Sequence, residues 1–436
     1  MARWIADWHP DDPAFWESSG KHVARRNLIF SIVAEHLGFT VWTLWSIVAT
    51  KMGAYEFTTD QLFWLVALPN LIGSVLRVPY TFGPARFGGR NFTVVSALLL
   101  LIPAVLLGVA VRDPGTPYWL FLVIAALAGV GGGNFASSMA NITYFYPRNK
   151  QGIALGLNAA GGNVGVSSVQ LVMPLVIGSL GLAAAGWFWI PFIVVAGACA
   201  WFFMDNLTSA KADAREQLTV AGKAQTWIMS FLYIGTFGSF IGYSTAFPLL
   251  SKSLFPEAPF AAVAFAGPLV GSLIRPVGGW LADRLGGAPV TLWNFAAMGG
   301  GVLLVWTAST SGNFWLFFLA FQLLFLTSGI GNGSTYRMIP AIFQAKAVAE
   351  RGEGEEALLY GKRQASAAIG IISAVGALGG FLINRAFGMS FAAAGTPAPA
   401  FLAFALFYLA CLALTWWCYT RKVGVSVVSS LAYARV

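Results

Sequence analysis

The sequence predicts an all-α membrane protein: twelve transmembrane helices in two pseudo-symmetric six-helix halves, with both termini cytoplasmic. Three observations carry that expectation: an apolar composition, a one-sided distribution of Lys and Arg, and a 20-residue pattern that occurs twice. Of the 436 residues, 57% are hydrophobic and 10% charged, and the mean hydropathy is +0.71. Soluble domains carry roughly 25% charged residues, so a water-soluble enzyme of this length is excluded because its surface could not be solvated. Cys199, Cys411 and Cys418 lie inside apolar runs and read as small core hydrophobes, not as a disulfide framework.

Residues 1–26 are polar and rich in Trp and Asp, and they lack the short apolar stretch of a cleavable signal, so internal spans are expected to drive insertion. Twelve apolar segments follow, over approximately 27–50, 61–83, 92–111, 118–142, 152–177, 183–204, 226–250, 259–282, 289–309, 313–340, 364–388 and 398–420. In FTTDQ, Thr58 and Gln61 have the spacing of a capping box at the start of the second. DPGTP (113–117) and YPRNKQG (146–152) punctuate the first half, and charged stretches at 205–223 and 344–363 part spans six from seven and ten from eleven. The expected organisation is a 1–26 cytoplasmic segment, a 27–205 half, a 206–225 central loop, a 226–421 half and a 422–436 tail.

Orientation follows from the basic residues. With a cytoplasmic N-terminus, the cytoplasmic segments hold Arg3, Lys21, Arg25, Arg26, Arg86, Arg90, Arg148, Lys150, Lys211, Arg215, Lys223, Arg284, Lys346, Arg351, Lys362, Arg363, Arg421, Lys422 and Arg435. That is 19 of 26, against four outside (Lys51, Arg112, Lys252, Arg385) and three within spans (Arg77, Arg275, Arg337). The split satisfies the positive-inside rule, so the net charge of +9 reports topology and no nucleic-acid partner is expected.

SVLRVPYTFGPARFGGRNFT (74–93) and SLIRPVGGWLADRLGGAPVT (272–291) match at Ser74/Ser272, Arg77/Arg275, Arg86/Arg284, Gly88/Gly286, Gly89/Gly287 and Thr93/Thr291, all at an offset of 198. Glycine pairs alone say only that helices pack closely. Six identities leading out of the second helix of each half instead mark an internal repeat, the signature of a secondary transporter with its site at the interface of the repeats.

Arg77 and Arg275 occupy equivalent intramembrane positions. A charge there costs at least about 2.5 kcal/mol on lenient insertion scales and marks a pathway by default. Snorkelling is disfavoured, since about eight residues (~12 Å) remain before the helix ends. Glu35 is the one acidic residue inside a span, so two arginines facing one cavity await an anion, and a planar guanidinium fork suits a planar oxyanion. GGGNFASSMAN (131–141) places Phe135 in span four, LGLNAAGGNVGVSSVQ (155–170) places Asn158, Gly162 and Asn163 in span five, and GIISAVGALGG (370–380) places Ser373 in span eleven. In span seven, Tyr233 and Phe237 share one face at i and i+4.

These stretches carry a family resemblance. GLNAAGGNVGVSSVQ resembles the span-five signature of the nitrate/nitrite porter family, GIISAVGALGG its span-eleven counterpart, and FTTDQLFWLVALPNLIGSVLRVPY, GGGNFASSMANITYFYP and FLYIGTFGSFIGYS its other characteristic stretches. GGWLADRLGG resembles the cytoplasmic signature of the major facilitator superfamily, although the first-half copy has Ala85 in place of the acidic residue, and Ala159 stands where the porter family commonly has glycine. The resemblance covers nearly the whole chain. It implies the major facilitator fold and a multi-pass protein of the bacterial inner membrane. It also implies that Arg77 and Arg275 bind nitrate or nitrite, that Asn163 hydrogen-bonds it, that Phe135 sandwiches it, and that Tyr233, Phe237 and Phe39 line the passage, beside Gly162 and Ser373. No cofactor or metal is implied, a monomer suffices, and a functional link to nitrate reductase follows from the substrate.

Paired arginines repel in an empty cavity. A carrier built on them resists closing without an anion, which favours obligatory exchange of nitrate for nitrite by alternating access. Glu35 complicates this. Arg77 follows Phe39 by 38 residues and Arg275 follows Phe237 by 38, so Glu35 is the symmetry mate of Tyr233 and belongs on the cavity side. Either it carries a proton, shared with His36, and supports proton-coupled nitrate symport, or it pairs with Arg337 as a gate. The chain shows no GxxxxGK[ST] loop for ATP. Of its three histidines, His9 and His22 lie in the N-terminal segment, so paired haem ligation inside the bundle is excluded. Two six-span halves argue against a channel, and no signalling domain accompanies them to suggest a sensor.

Overall fold

Apolar runs that cross a bilayer must satisfy their own backbone groups, which leaves helices or closed barrels. Here they are helices. The computed structural model describes residues 4–147, 149–210, 214–421, 431 and 436, so Arg3, Arg148, Lys211, Lys422, Arg435 and most of the expected 422–436 tail lie outside the described residues. Among the described residues eleven helices are long and apolar enough to cross a membrane: α1 (Pro13–Lys51), α2 (Thr59–Phe87), α3 (Gly89–Ala110), α4 (Tyr118–Phe145), α5 (Gln151–Leu180), α6 (Ala184–Phe203), α8 (Phe260–Leu285), α9 (Gly287–Thr310), α10 (Phe314–Arg351), α11 (Glu355–Ala394) and α12 (Ala398–Thr420). The remaining span, α7, is helical through Ala224–Tyr233, a π turn at Ile234–Gly238 and Ser239–Leu254. It is more polar because it is enclosed by protein: Ser230, Thr236, Ser239, Ser244 and Thr245 are all buried. Ser230 and Ser244 return their hydroxyls to the backbone one turn earlier, at 2.7 and 2.6 Å.

Some boundaries differ from the sequence expectation. The first helix begins at Pro13 instead of 27, started by Asp12, whose side chain accepts from the Ala14 amide at 2.9 Å. The charged stretch 344–363 is not a loop: α10 runs on to Arg351 and α11 starts at Glu355, with the break confined to Gly352 (φ 82°) and its neighbours. Glu, Lys, Arg and Ala are strong helix formers, so charge there ends the membrane and not the helix. The capping box at Thr58 and Gln61 forms as expected, with both reciprocal bonds present.

The chain divides into two compact units: 1–213 with 259–265, and 214–258 with 266–436. Within the first, α2 packs on α4, α1 on α5 and α3 on α6; within the second, α8 packs on α10, α7 on α11 and α9 on α12. The repeat legible in the sequence therefore recurs as a repeat of packing. It also recurs in the backbone. Gly88 (φ 87°, ψ 140°) and Gly286 (φ 91°, ψ 140°), 198 residues apart, turn α2 into α3 and α8 into α9 in a conformation that side-chain-bearing residues rarely adopt.

At one end of the first unit, β1 (Trp4–Ile5) pairs in parallel with β2 (Asn206–Leu207), beside the Gly88 turn. At the other end the Tyr55 hydroxyl donates to the Val111 carbonyl at 2.9 Å; burial, then the Asp113 carboxylate, push its pKa above the ordinary tyrosine value, so it remains a donor. One end of the second unit collects the start of α7, the α10–α11 break and the end of α12: Tyr419 donates to Gln225 at 2.5 Å, and Lys223 lies 3.6 Å from Glu350.

A buried polar clamp fixes the β1–β2 end. Asp205 accepts from Arg26 at 2.5 Å and from the Asn27 amide at 2.9 Å, while the Asp205 backbone N–H donates to Asn27 Oδ1 at 2.9 Å. Asn27 is fully buried. Asp205→Ala is expected to lower stability by about 1–3 kcal/mol, because it takes the carboxylate acceptor from the buried Asn27 amide and from the part-exposed Arg26, and a drop in unfolding temperature in detergent checks this. An unchanged midpoint would show the clamp to be dispensable.

Candidate functional site

Each unit sets one arginine into its membrane helices. In the first, α2 carries Arg77 at 0% exposure, an environment that apolar neighbours alone could not stabilise. Its Nε donates to the Gly132 carbonyl of α4 at 3.2 Å. Its guanidinium lies 4.5 Å from the Phe135 ring centre and 5.5 Å from that of Trp42. Phe39 braces both rings, edge-on to Trp42 at 5.1 Å and tilted to Phe135 at 6.2 Å. Cation–π contact adds to the hold on the guanidinium. Trp42 is locked by its own indole N–H, which donates to the Pro69 carbonyl at 2.9 Å.

Asn163 on α5 is 1% exposed, and neither atom of its amide has a hydrogen-bond partner among the described residues. Gly162 beside it lets Glu35 approach: a Cβ there would overlap the Glu35 carboxylate. Glu35 Oε2 accepts from the Asn158 amide at 2.6 Å, and the same amide donates to Ser138 at 2.6 Å. His36, expected to share a proton with Glu35, instead has Nδ1 at 3.1 Å from the Gly161 carbonyl. Arg337, the other expected partner of Glu35, forms an ion pair with Asp283 at the end of α8. The acidic residue of GGWLADRLGG thus binds an arginine of its own half, a contact invisible in either segment alone.

In the second unit Arg275 on α8 is half-buried, its guanidinium 5.4 Å from the Tyr336 ring, and its Nη1 is buried without a hydrogen-bond partner among the described residues. Tyr336 meets Tyr233 at 6.4 Å, and Tyr233 stacks on Phe237 at 5.4 Å. Tyr233 and Phe237 therefore do share one face of α7, in an aromatic row leading to Arg275. Ser373 on α11 is buried and donates to the Gly370 carbonyl at 3.0 Å. The π turn at Ile234–Gly238 begins directly after Tyr233 and contains Phe237.

Trp42, Tyr336 and the Asn158 bond to Glu35 were not singled out from the sequence. The offset of 198 held a usable signal: it maps Trp42 onto Phe240, and each faces a glycine of the same repeat, Gly73 and Gly271. It also maps Tyr336 onto Ser138 and Tyr233 onto Glu35.

The profile of the Major Facilitator Superfamily matches residues 29–354. The nitrate/nitrite transporter NarU of Escherichia coli (strain K12) is 45% identical over 96% of each chain. The chain belongs to the nitrate/nitrite porter family of the major facilitator superfamily. It is a multi-pass membrane transporter. A probable nitrate/nitrite antiporter, NarK2 of Thermus thermophilus, is 38% identical over 96% of this chain and 97% of its own. Among solved structures, a bacterial homologue of the human lysosomal transporter Spinster, inward-facing and unoccupied, matches with TM-score 0.65 at 14% identity over 91% of this chain and 97% of that one. At that identity the likeness speaks for the fold alone.

Proposed function

We propose that this transporter moves nitrate and nitrite across the bacterial inner membrane by alternating access, exchanging one anion for the other, with Arg77 of the first half and Arg275 of the second as the anion's cationic ligands. The observation that carries this reading is the aromatic backing of an intramembrane guanidinium in each half. Rings attract the cation without accepting hydrogen bonds in the guanidinium plane, the plane in which a flat oxyanion is bound bidentately. The Asn163 amide, buried and without a partner among the described residues, supplies a neutral donor. Phe135 provides an apolar face, with Phe39, Tyr233, Phe237, Gly162 and Ser373 shaping the passage. The names of the relatives from Escherichia coli and Thermus thermophilus support the choice of substrate.

Exchange follows from charge. Bringing two guanidinium groups together without an anion is repulsive, so the return step is slow unless an anion is carried back. Operation as a monomer and a functional link to nitrate reductase belong to the same reading.

Proteoliposomes loaded with nitrite, or with no anion, test it. Nitrate entry that needs internal nitrite and ignores an imposed pH gradient is the expected result. Entry into empty vesicles driven by an inward proton gradient would replace exchange with proton-coupled symport through Glu35.

A further inference from the structure

In the first half, α5 meets α1 through glycines. Gly161, Gly162 and Gly165 face Ile32, Glu35 and the His36 carbonyl, and a Cβ at any of the three would overlap what it faces. Five glycines fall between positions 152 and 165. Such a face lets two helices approach closely, but it offers no side chain to lodge in a groove and fix how far α5 is turned about its own axis. Rotation matters here because α5 carries Asn163. A turn of about 20° moves an amide ~5 Å from the axis by about 1.7 Å, more than a hydrogen bond tolerates.

One side chain of α5 supplies what the glycines do not. Asn158 is fully buried, and its amide NH2 group donates to two other helices: to Glu35 Oε2 of α1 at 2.6 Å and to the Ser138 hydroxyl of α4 at 2.6 Å. Ser138 in turn lies 2.8 Å from the Ser31 hydroxyl, which closes the link between α4 and α1. The bond to Glu35 needs only an acceptor and holds whether or not the carboxyl carries a proton. On each of the three helices an expected anion-site residue stands about one turn from this pin: Phe39 from Glu35, Phe135 from Ser138, and Gly162 and Asn163 from Asn158. Because α4 runs opposite to α1 and α5, all of them lie on the same side of it.

The second half has neither the pin nor an amide for it to aim. At an offset of 198 on the first and fourth helices of each half and 214 on the fifth, Glu35, Ser138 and Asn158 become Tyr233, Tyr336 and Ile372, and Asn163 becomes Ala377. Tyr233 and Tyr336 meet there through their rings at 6.4 Å, and Gly376 packs on Tyr233. The first half thus keeps a buried amide where the second shows that rings and aliphatic groups serve. Fixing register is the best-attested use of a single buried polar residue.

We infer that Asn158 is a positioning residue of the anion site: bonded to α1 and α4, it sets the rotation of α5 at which the Asn163 amide meets the anion. The inference rests on the reading of Asn163 as an anion ligand. No described residue hydrogen-bonds the Asn163 side chain, so its place is inherited from the helix that bears it. Asn158 lies five residues earlier, about 140° around α5 and about 7.5 Å along it. It stands on another face of the helix and acts through α5, not on the anion.

A double-mutant cycle in nitrate affinity tests this on the purified full-length protein, read by quenching of tryptophan fluorescence. Asn163→Ala and Asn158→Ala are each expected to weaken binding by about 3–10-fold, and the double variant to bind no more weakly than Asn163→Ala alone. A lower unfolding temperature would accompany a merely structural role as well, so the coupling decides. Effects that multiply in the double variant would overturn the inference, and so would Asn158→Ala binding nitrate as the wild type does. If Asn163→Ala alone leaves affinity unchanged, the reading of Asn163 as a ligand fails and the inference with it, whereas multiplied effects leave that reading standing. If Asn158→Ala does not fold, Ser138→Ala, which removes one of the pin's two bonds, carries the same cycle.

Discussion

Arg77→Lys is expected to weaken nitrate binding by about 10–100-fold while the protein still folds. The charge survives the exchange, but three things are lost: the planar fork, the Nε bond to the Gly132 carbonyl at 3.2 Å, and the guanidinium contact with the Phe135 ring at 4.5 Å. A hydrogen bond to a charged group contributes about 1.5–3 kcal/mol, and each 1.4 kcal/mol is tenfold in affinity. Quenching of tryptophan fluorescence by nitrate reads the effect directly, since Trp42 lies 5.5 Å from the guanidinium. Arg275→Lys should weaken binding in parallel, through the lost face contact with Tyr336. Lysine variants that bind nitrate as the wild type does would remove the arginines from the anion site.

The second large effect concerns packing. A Cβ at Gly73 would lie 2.7 Å from Trp42 Nε1, and one at Gly271 would lie 2.8 Å from two atoms of the Phe240 ring. Trp42 is 1% exposed and Phe240 0%, so neither ring has space to withdraw. Gly73→Ala and Gly271→Ala should each destabilise the protein by about 1–3 kcal/mol through overpacking, read as lower unfolding temperatures. Gly73→Ala should also weaken anion binding, because the ring it displaces backs Arg77. Alanine variants as stable as the wild type would show that the two helices can separate without cost.

The glycines make clear what can be inferred from one chain. Their abundance in spans four, five and eleven announces close helix contact, but the neighbour of each is a matter of helix rotation. Gly162 faces Glu35 and Gly376 faces Tyr233, while Gly165 meets the His36 carbonyl and Gly379 the Ile234 carbonyl. Those pairs are equivalent under an offset of 198 on the first helix of each half and 214 on the fifth. The extra 16 residues lie in the charged stretch that lengthens α10 and α11. Such a correspondence becomes visible only once the contacts are known.

Spans, the sidedness of the basic residues and the repeat were determined by the sequence alone, because each depends on composition summed over a window: bilayer thickness selects about 20 apolar residues, and insertion sorts Lys and Arg by side. The positions of Arg77 and Arg275 were equally legible, since a charge in an apolar run stands out without reference to any neighbour. Tertiary structure decided which groups those residues meet. Asp283 takes Arg337, Gly161 takes His36, and Asn158 takes Glu35. Tyr336 and Trp42 back the arginines. The physical reason is that polar side chains inside a bundle bond to whatever the crossing helices present, at separations of 54 to 125 residues. Helix periodicity places a residue on a face, and only packing decides what lies opposite.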